Sequence, residues 1–308
     1  MICGLTLYQI LWYFIEYSFI GWVIEVIYHA VAAGKIINRG FLNGPVCPIY
    51  GTGMIGVLML TNMISSALAS AGYTSEPLRL LCVFAGGTLF ATAVELAGGW
   101  LLDKLFHARW WDYSDRKFNL GGYICPEFSM MWGLGILFVV EIVQPFLAVE
   151  PTHGIIAHAA GIVVLAVVYT VFVIDCVATV LTIRGLNKKL AEIDEISAAI
   201  RQGSDYITDK VGNRAYKTTV KLEEGAVQAR LGYAELKDKV AADKVEFDAM
   251  AENTRKELIA RRDRLYAELT RERHWGVGRL LNAFPMVKHE KYAEALREIM
   301  EKRIGSLR

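Results

Sequence analysis

The sequence lacks the short motifs that identify several large classes of enzyme. No GxxxxGK[ST] phosphate-binding loop occurs, so this chain does not carry its own P-loop ATPase. The hydrolase motif GxSxG and the zinc-protease motif HExxH are also missing. These absences point away from an enzyme, and we expect no catalytic residue, no metal site and no cofactor.

Cysteine is scarce as well, with 5 in 308 residues. The cysteines are widely spaced, lie mostly inside apolar runs and form no CxxC pair. That spacing favours neither a zinc site nor a disulfide scaffold. Small buried thiols are the simpler interpretation.

Charge is low overall, at 21% of residues against 54% hydrophobic, and it is unevenly distributed. Residues 1–183 carry 7 Lys/Arg and 11 Asp/Glu, which leaves 26 of the 33 basic and 21 of the 32 acidic residues for the remainder. Such asymmetry predicts two regions in different solvents. We expect a transmembrane domain over 1–183 and a cytoplasmic helical region over 184–308.

Five apolar runs are long enough to cross a bilayer as helices, which takes about 20 residues. They cover residues 5–33, 46–70, 78–102, 123–148 and 154–182. The sequence therefore predicts an all-α fold, a polytopic membrane helical bundle of about five transmembrane helices. The first run has no basic region before it and no cleavage site after it, so we do not expect a signal peptide.

Basic residues mark one side of this bundle. They follow the first, third and fifth runs, at Lys35 and Arg39, at Lys104, Arg109, Arg116 and Lys117, and at Arg184, Lys188 and Lys189. Cytoplasmic loops carry an excess of Lys and Arg. We therefore expect a multi-pass protein of the inner (cytoplasmic) membrane with its N-terminus outside and its C-terminal region in the cytoplasm.

The two halves of the membrane region share a pattern. Glu25 precedes Arg39 by 14 residues, and Glu95 precedes Arg109 by the same number. Each arginine is followed by a signature, GPVCP and then YGTG in residues 44–53, GYICP and then WGLG in residues 122–135. Each copy contains two spans, repeat 1 over about 5–70 and repeat 2 over about 78–148. Both copies then enter the membrane in the same direction, which predicts a parallel internal repeat.

The two glutamates are the sharpest candidates for function. A carboxylate at the centre of a span costs about 2.5–3.5 kcal/mol, so Glu25 and Glu95 should face the interior with partners. Arg39 and Arg109 are the natural partners, either within one copy or across the axis between the two copies. The pairs either form a gating or substrate-contacting network or act as structural staples between the halves.

The loops that follow are rich in glycine and proline, which leave backbone groups unpaired. Such backbone is tolerated at membrane depth only where protein buries it or a wet cavity solvates it. The helix N-termini that follow suit an anionic group; alternatively, the glycines serve close helix packing. The candidate binding or gating residues are Glu25, Arg39, Asn43, Gly44, Cys47, Pro48, Tyr50, Glu95, Arg109, Trp110, Asp112, Tyr113, Asn119, Gly122, Cys125, Pro126 and Glu127.

Two further features need a role. The stretch from Arg109 to Tyr113, RWWDY, is typical of an interfacial anchor, since Trp and Tyr favour the headgroup level; a recognition surface is the alternative. Glu16, Glu141 and Asp175 also lie in apolar runs, but they have no counterpart in the other copy, so we rank them second.

The region after Leu186 is dominated by helix formers and weak heptads such as Leu222, Ala229 and Leu236. It predicts a coiled-coil hairpin or a dimer. The segment RHWGVGRLLNAFP, residues 273–285, is basic and amphipathic and suits docking on a membrane or a partner. A last helix is expected over 289–304.

Three segments, NRGFLNGPVCPIYG, RWWDYS to FNLGGYICPEFSMMWG, and RLLNAFPMVKHEKYAEAL, together resemble a bacterial family of ABC-transporter permeases labelled type IV or CmpB-like. The resemblance implies a multi-pass permease-like subunit working with a separate ATPase. A membrane-embedded lipid-binding protein or enzyme, and a scaffold or sensor acting through the tail, are the alternatives. We expect membrane lipids, an ATPase subunit and a second copy of the chain as partners, and no nucleic acid.

Overall fold

A computed structural model describes residues 1–34, 36–148, 155–221, 233–271, 276–285 and 287–306. Within these residues the fold is helical, with one pair of two-residue strands. The helices are α1 (Leu7–Ala33), α2 (Pro48–Ser70), α3 (Glu76–Phe106), α4 (Pro126–Phe138), α5 (Gln144–Ala148), α6 (Ile155–Lys221), α7 (Tyr233–Thr270), α8 (Val277–Ala283) and α9 (Ala293–Ser306). The strands β1 (Ala108–Arg109) and β2 (Lys288–His289) pair antiparallel.

Five helical segments are long and apolar enough to cross a membrane, as predicted. They are Leu7–Val31, Pro48–Ser70, Glu76–Phe106, Pro126–Leu147 and Ala159–Gln202. The fourth combines α4 and α5 through a π-helical turn at Val139–Val143. The protein is therefore a multi-pass membrane protein. The expected basic residue Lys35 and the connection 149–153 lie outside the described residues.

Local sequence sets the ends of these helices. Thr6 and Gln9 form a capping box at the start of α1. The same helix ends at Gly34, whose φ of 66° lies in the left-handed region that glycine enters freely. Cys47 and Cys125 are the N-caps of α2 and α4, each followed by proline at the first helical turn. Proline lacks the N–H that would be unpaired at that position, so both Cys-Pro pairs start a helix.

The first four spans pack in chain order, α1 on α2, α2 on α3 and α3 on α4. Glycines permit the two hairpin contacts. A β-carbon on Gly51 would lie 2.3 Å from the Ser18 hydroxyl, and one on Gly133 would lie 2.0 Å from that of Thr88. Ser18 and Thr88 each come seven residues before a span glutamate, so the two hairpins pack in matching register.

The chain forms two compact units. The first contains Met1–Gly185 and the tail stretch Glu272–Ala293, and the second contains Leu186–Arg271 and Glu294–Arg308. The tail segment that the sequence assigned to the cytoplasmic region therefore belongs with the membrane spans.

In the second unit, α7 packs against the later part of α6. Lys189 pairs with Glu268 at 2.6 Å and Glu192 with Arg261 at 2.6 Å, so the two helices run antiparallel. Buried apolar residues fill this unit, namely Leu190, Ile193, Ile196, Tyr266, Leu269, Leu296 and Ile299. The heptad coiled coil stays a prediction, because Leu222 and Ala229 lie outside the described residues.

Gly51→Ala tests the α1–α2 packing. The added methyl group would meet Ser18 and the Phe14 carbonyl oxygen at 2.4 Å or less, and overpacking of this kind costs about 1–3 kcal/mol. We expect a lower melting temperature in detergent micelles. Gly53→Ala is the matched control, since nothing lies within 4 Å of its β-carbon position. Equal melting temperatures for the two variants would contradict the close packing.

Candidate functional site

Glu25 lies in α1 and receives a hydrogen bond from the first helical turn of α2. The Tyr50 hydroxyl donates to Glu25 Oε1 at 2.7 Å. A β-carbon on Gly21 would lie 2.2 Å from the Tyr50 ring, so glycine one turn before Glu25 lets the ring cross α1. The Arg39 Nε lies 3.7 Å from Glu25 Oε2. The first predicted Glu and Arg are thus brought together as an ion pair.

Glu95 in α3 is buried, at 7% exposure, and has two neutral donors. Tyr113 donates its hydroxyl proton to Oε1 at 3.0 Å, and Trp132 donates its indole N–H to Oε2 at 3.2 Å. Burial and the Glu95 carboxylate raise the pKa of Tyr113 well above its usual value, so the phenol keeps its proton. Among the described residues no arginine or lysine comes within 4 Å of Glu95.

The expected pairing of Arg109 with Glu95 is therefore wrong. Arg109 pairs instead with Asp103 at 3.2 Å and stacks over the Tyr123 ring at 4.7 Å. The physical reason is the longer loop of the second copy. It places Tyr113 against the carboxylate, while Arg109, three residues past the end of α3, turns back onto its own helix.

An aromatic contact joins the two carboxylates. Tyr50 and Trp132 meet edge to face, with ring centroids 5.7 Å apart and planes at 74°. The Tyr50 hydroxyl donates to Glu25 and the Trp132 indole N–H donates to Glu95, so one network runs from Glu25 to Glu95. Trp132 was absent from the candidate set, although the shared aromatic-Gly-x-Gly pattern placed it opposite Tyr50.

The loop before α2 is held by the fifth span. Asp175 in α6 accepts the backbone N–H of Asn43 at 3.1 Å and that of Gly44 at 2.7 Å. The Asn43 side-chain amide donates to the same carboxylate at 2.9 Å. Asp175, ranked second from sequence, therefore belongs to the site and supplies the acceptors that this glycine-proline loop needs in an apolar setting.

Arg279 of α8 completes the loop from the other side. The guanidinium donates to the Gly40 oxygen at 2.8 Å, the Phe41 oxygen at 3.0 Å and the Asn43 Oδ1 at 3.2 Å. Arg279 is only 6% exposed, and this burial lowers its pKa. The sequence drew attention to the segment that contains Arg279 but did not predict these contacts, because the partners lie more than 230 residues away.

The tail also meets the ion pair and the aromatic stretch. Arg39 donates to the Ala283 carbonyl at 2.7 Å and lies over the Phe284 ring. Trp110 packs edge to face on Phe284 with centroids 4.9 Å apart and is 7% exposed. The interpretation of Trp110 as a lipid-facing interfacial anchor is therefore wrong. The described part of the predicted docking segment, 276–285, contacts loops of its own chain.

A salt bridge and a short strand pair fasten the tail further along. Lys288 pairs with Asp112 at 2.6 Å, and the neighbouring Ala108 pairs with His289 across the two strands. Partial burial opposes ionisation of Asp112, but hydrogen bonds from Lys288 and Ser114 lower its pKa to about 2. Asp112 thus serves as an anchor for the tail and stays ionised at neutral pH.

The remaining candidates shape the loops. Asn119 donates to the Ser114 and Arg116 carbonyls and accepts the Gly122 N–H, and Glu127 pairs with Arg116 at 3.1 Å. Cys47 and Cys125 are buried, and burial raises the pKa of the Cys47 thiol to about 12. In the described portion of the chain no three His, Cys, Asp or Glu side chains are grouped to hold a metal ion.

A protein-family model described as "Putative ABC-transporter type IV" matches residues 12–180, more than half of the chain. The chain belongs to this family. The match covers the two hairpins that carry Glu25 and Glu95 and the first half of the fifth span, so the type IV family assignment rests on the membrane unit. No curated protein and no solved structure is significantly similar to this type IV family member.

Tyr113→Phe tests the support of Glu95. Loss of one donor leaves a buried carboxylate with a single hydrogen bond, which costs about 1–3 kcal/mol. We expect a lower melting temperature for the detergent-solubilised protein. Tyr73→Phe is the control, because Tyr73 is an exposed residue at the opposite end of α3. If Tyr113→Phe no longer lowers the melting temperature when Glu95→Gln is already present, the two residues are directly coupled. Equal losses of melting temperature with and without Glu95→Gln would contradict that coupling.

Asp112→Asn tests the tail anchor through its pH dependence. The folded-state pKa of about 2 lies below the usual 3.8, so the stabilisation is present above pH 3.8 and is lost as pH falls toward 2. Wild type should melt above Asp112→Asn at neutral pH, with the gap closing at acidic pH. Asp115→Asn, on the same loop, should show no such gap. A gap independent of pH would refute the assignment.

Proposed function

We propose that this protein is the permease-like membrane subunit of an ABC-type transport system, with a cytoplasm-facing polar site built from two copies of one Glu, Arg and Gly-x-x-Cys-Pro element. Glu25 and Glu95 are its central residues. The family assignment supports the transport role, and the arrangement around the two carboxylates supports the site.

The edge-to-face contact of Tyr50 with Trp132 carries the proposal. Both rings lie in the first two turns of the helix that follows a Cys-Pro pair, and both bond the glutamate of the preceding span. A change at one carboxylate can therefore reach the other through two hydrogen bonds and one ring contact. A site that must respond as a unit to a substrate or to a partner needs such coupling.

The same residues favour an internal duplication. The same contacts occur in each hairpin. The aromatic residue at the start of the second helix bonds the glutamate of the first, and the glycine after that aromatic residue packs on a hydroxyl residue seven positions before the glutamate. Since each copy contains an even number of spans, both would open to the same side of the membrane. The excess of Lys and Arg in the loops of that side favours the cytoplasm.

The two copies differ in charge, which favours a gate or binding site over a plain staple. Glu25 is balanced by Arg39, whereas Glu95 has only neutral donors. An ionised carboxylate without a counter-ion is costly in a membrane. A cationic group of a substrate, or movement of Arg39, would satisfy Glu95. Because Arg39 also binds the Ala283 carbonyl, the tail is connected to that movement.

The first experiment is gentle purification from the native membrane, followed by mass spectrometry of what remains bound. A separate ATPase subunit in fixed ratio is the expected result, and the same measurement gives the number of copies of this chain. A stoichiometric lipid without an ATPase would favour a lipid-binding protein or enzyme. Soluble signalling or division proteins held by the tail would favour a scaffold.

The second experiment uses Glu25→Gln and Glu95→Gln in the purified complex. Each amide keeps the shape but removes the charge, and interactions of a charged group contribute about 1.5–3 kcal/mol, or roughly tenfold or more in rate. We expect ATP hydrolysis by the complex to fall by that factor while assembly is kept. Glu141→Gln is the control, since Glu141 is also in a span but pairs with Arg79. Equal rates for all three would overturn the site.

A further inference from the structure

The loop between α3 and α4 exposes two large apolar side chains next to the membrane spans. Phe118 is 89% exposed and Leu120 59%. Of the aromatic residues predicted to anchor this loop, Trp110 is buried and Tyr113 binds Glu95, while Trp111 is half-buried and donates its indole N–H to the Tyr123 carbonyl. The loop is thus left with an exposed apolar tip that the described part of the chain does not cover.

Hydrogen bonds at the base of the loop hold the tip in this exposed position. Asn119 bonds the carbonyls of Ser114 and Arg116, and Tyr113 bonds Gly122 across the base of the loop. Phe118 has a φ of 57°, a left-handed conformation that a bulky residue adopts only when its surroundings impose it. The backbone conformation of the loop therefore keeps the Phe118 side chain exposed.

The loop lies level with the start of the fourth span. Leu120 donates its N–H to the Ile124 oxygen, two residues before α4 begins. Arg116 pairs with Glu127 and lies over the Phe128 ring, both in the first turn of α4. Since Pro126 begins a helix that is long and apolar enough to cross a membrane, these contacts hold the tip beside the start of that candidate span.

The charges around the tip fit a lipid headgroup. Arg116 is compensated by Glu127, but the adjacent Lys117 is exposed and has no acidic group within 4 Å among the residues that the structure describes. In a leaflet the phosphates lie above the acyl chains. An exposed apolar side chain would meet the acyl chains, and the neighbouring unpaired ammonium group would meet the phosphates.

We propose that residues 116–120 form a membrane-inserting loop, with Phe118 and Leu120 entering the acyl region of the adjacent leaflet and Lys117 binding phospholipid phosphate. This anchor fixes the height of the loop that carries Tyr113, and through it the donor to Glu95. The inference uses only the position and exposure of the loop and holds whether or not the protein transports a substrate.

Site-directed spin labelling of the full chain tests the proposal. A label is placed by Phe118→Cys, and separately by Leu120→Cys, on a Cys3→Ser background whose own labelling is subtracted. The protein is reconstituted in vesicles of phosphatidylcholine with phosphatidylglycerol. Leu120 has no left-handed backbone, so its label reports even if the Phe118 variant misfolds. Relaxation by oxygen, which concentrates in lipid, is compared with relaxation by a water-soluble nickel complex.

Val167→Cys in the fifth span and Glu301→Cys in α9 calibrate the lipid and water values. We expect the oxygen-to-nickel ratio at 118 and 120 to exceed that at Glu301→Cys severalfold. More phosphatidylglycerol should raise the ratio further, and Lys117→Glu should abolish that rise. A ratio equal to the water value overturns the proposal. Labels shielded from both reagents would mean that a protein covers the loop, which overturns it as well.

Discussion

A carboxylate inside a membrane span must find its hydrogen-bond donors within the protein, because lipid offers none. That requirement organises the membrane unit of this chain. Glu25 and Glu95 each draw an aromatic residue from the next helix, Tyr50 and Trp132, and the two rings then meet. These hydrogen bonds link neighbouring helices. Gly21 beneath the Tyr50 ring, and Gly51 and Gly133 at the two hairpin contacts, let the helices approach closely enough to form them.

The same rule applies to the broken backbone at the membrane edge. A glycine-proline loop leaves N–H and C=O groups that hydrocarbon cannot satisfy. Asp175 accepts the N–H groups of the first loop, and Arg279 donates to its carbonyls. One partner comes from the fifth span and the other from the distant tail. The tail is therefore a structural part of the membrane unit. Its contacts with the loops through Arg279, Lys288 and the Ala283 carbonyl, which Arg39 binds, place it near Glu25 and Glu95.

The two hairpins share one arrangement of glutamate and aromatic side chain but differ in the other partners of that glutamate. In the first, Arg39 lies beside Glu25 and also binds the tail. In the second hairpin, the longer loop brings the Tyr113 hydroxyl to Glu95, and Arg109 turns back to Asp103. Within a single network, Glu25 therefore has a basic partner and Glu95 has only neutral hydrogen-bond donors among the described residues. This asymmetry is the observation on which the proposed gate or cation site rests.

The sequence alone determined the five spans, the helix starts at both Cys-Pro pairs and the two glutamates, Glu25 and Glu95, that lie inside spans. These depend on apolar length and on the local chemistry of proline and glycine, which can be read from neighbouring positions. Only the tertiary structure decided that Arg109 leaves Glu95, that Trp110 is buried, and that Asp175 and Arg279 close the first loop. Those partners are separated by up to 239 residues, and packing chooses among several donors that the sequence leaves equally available.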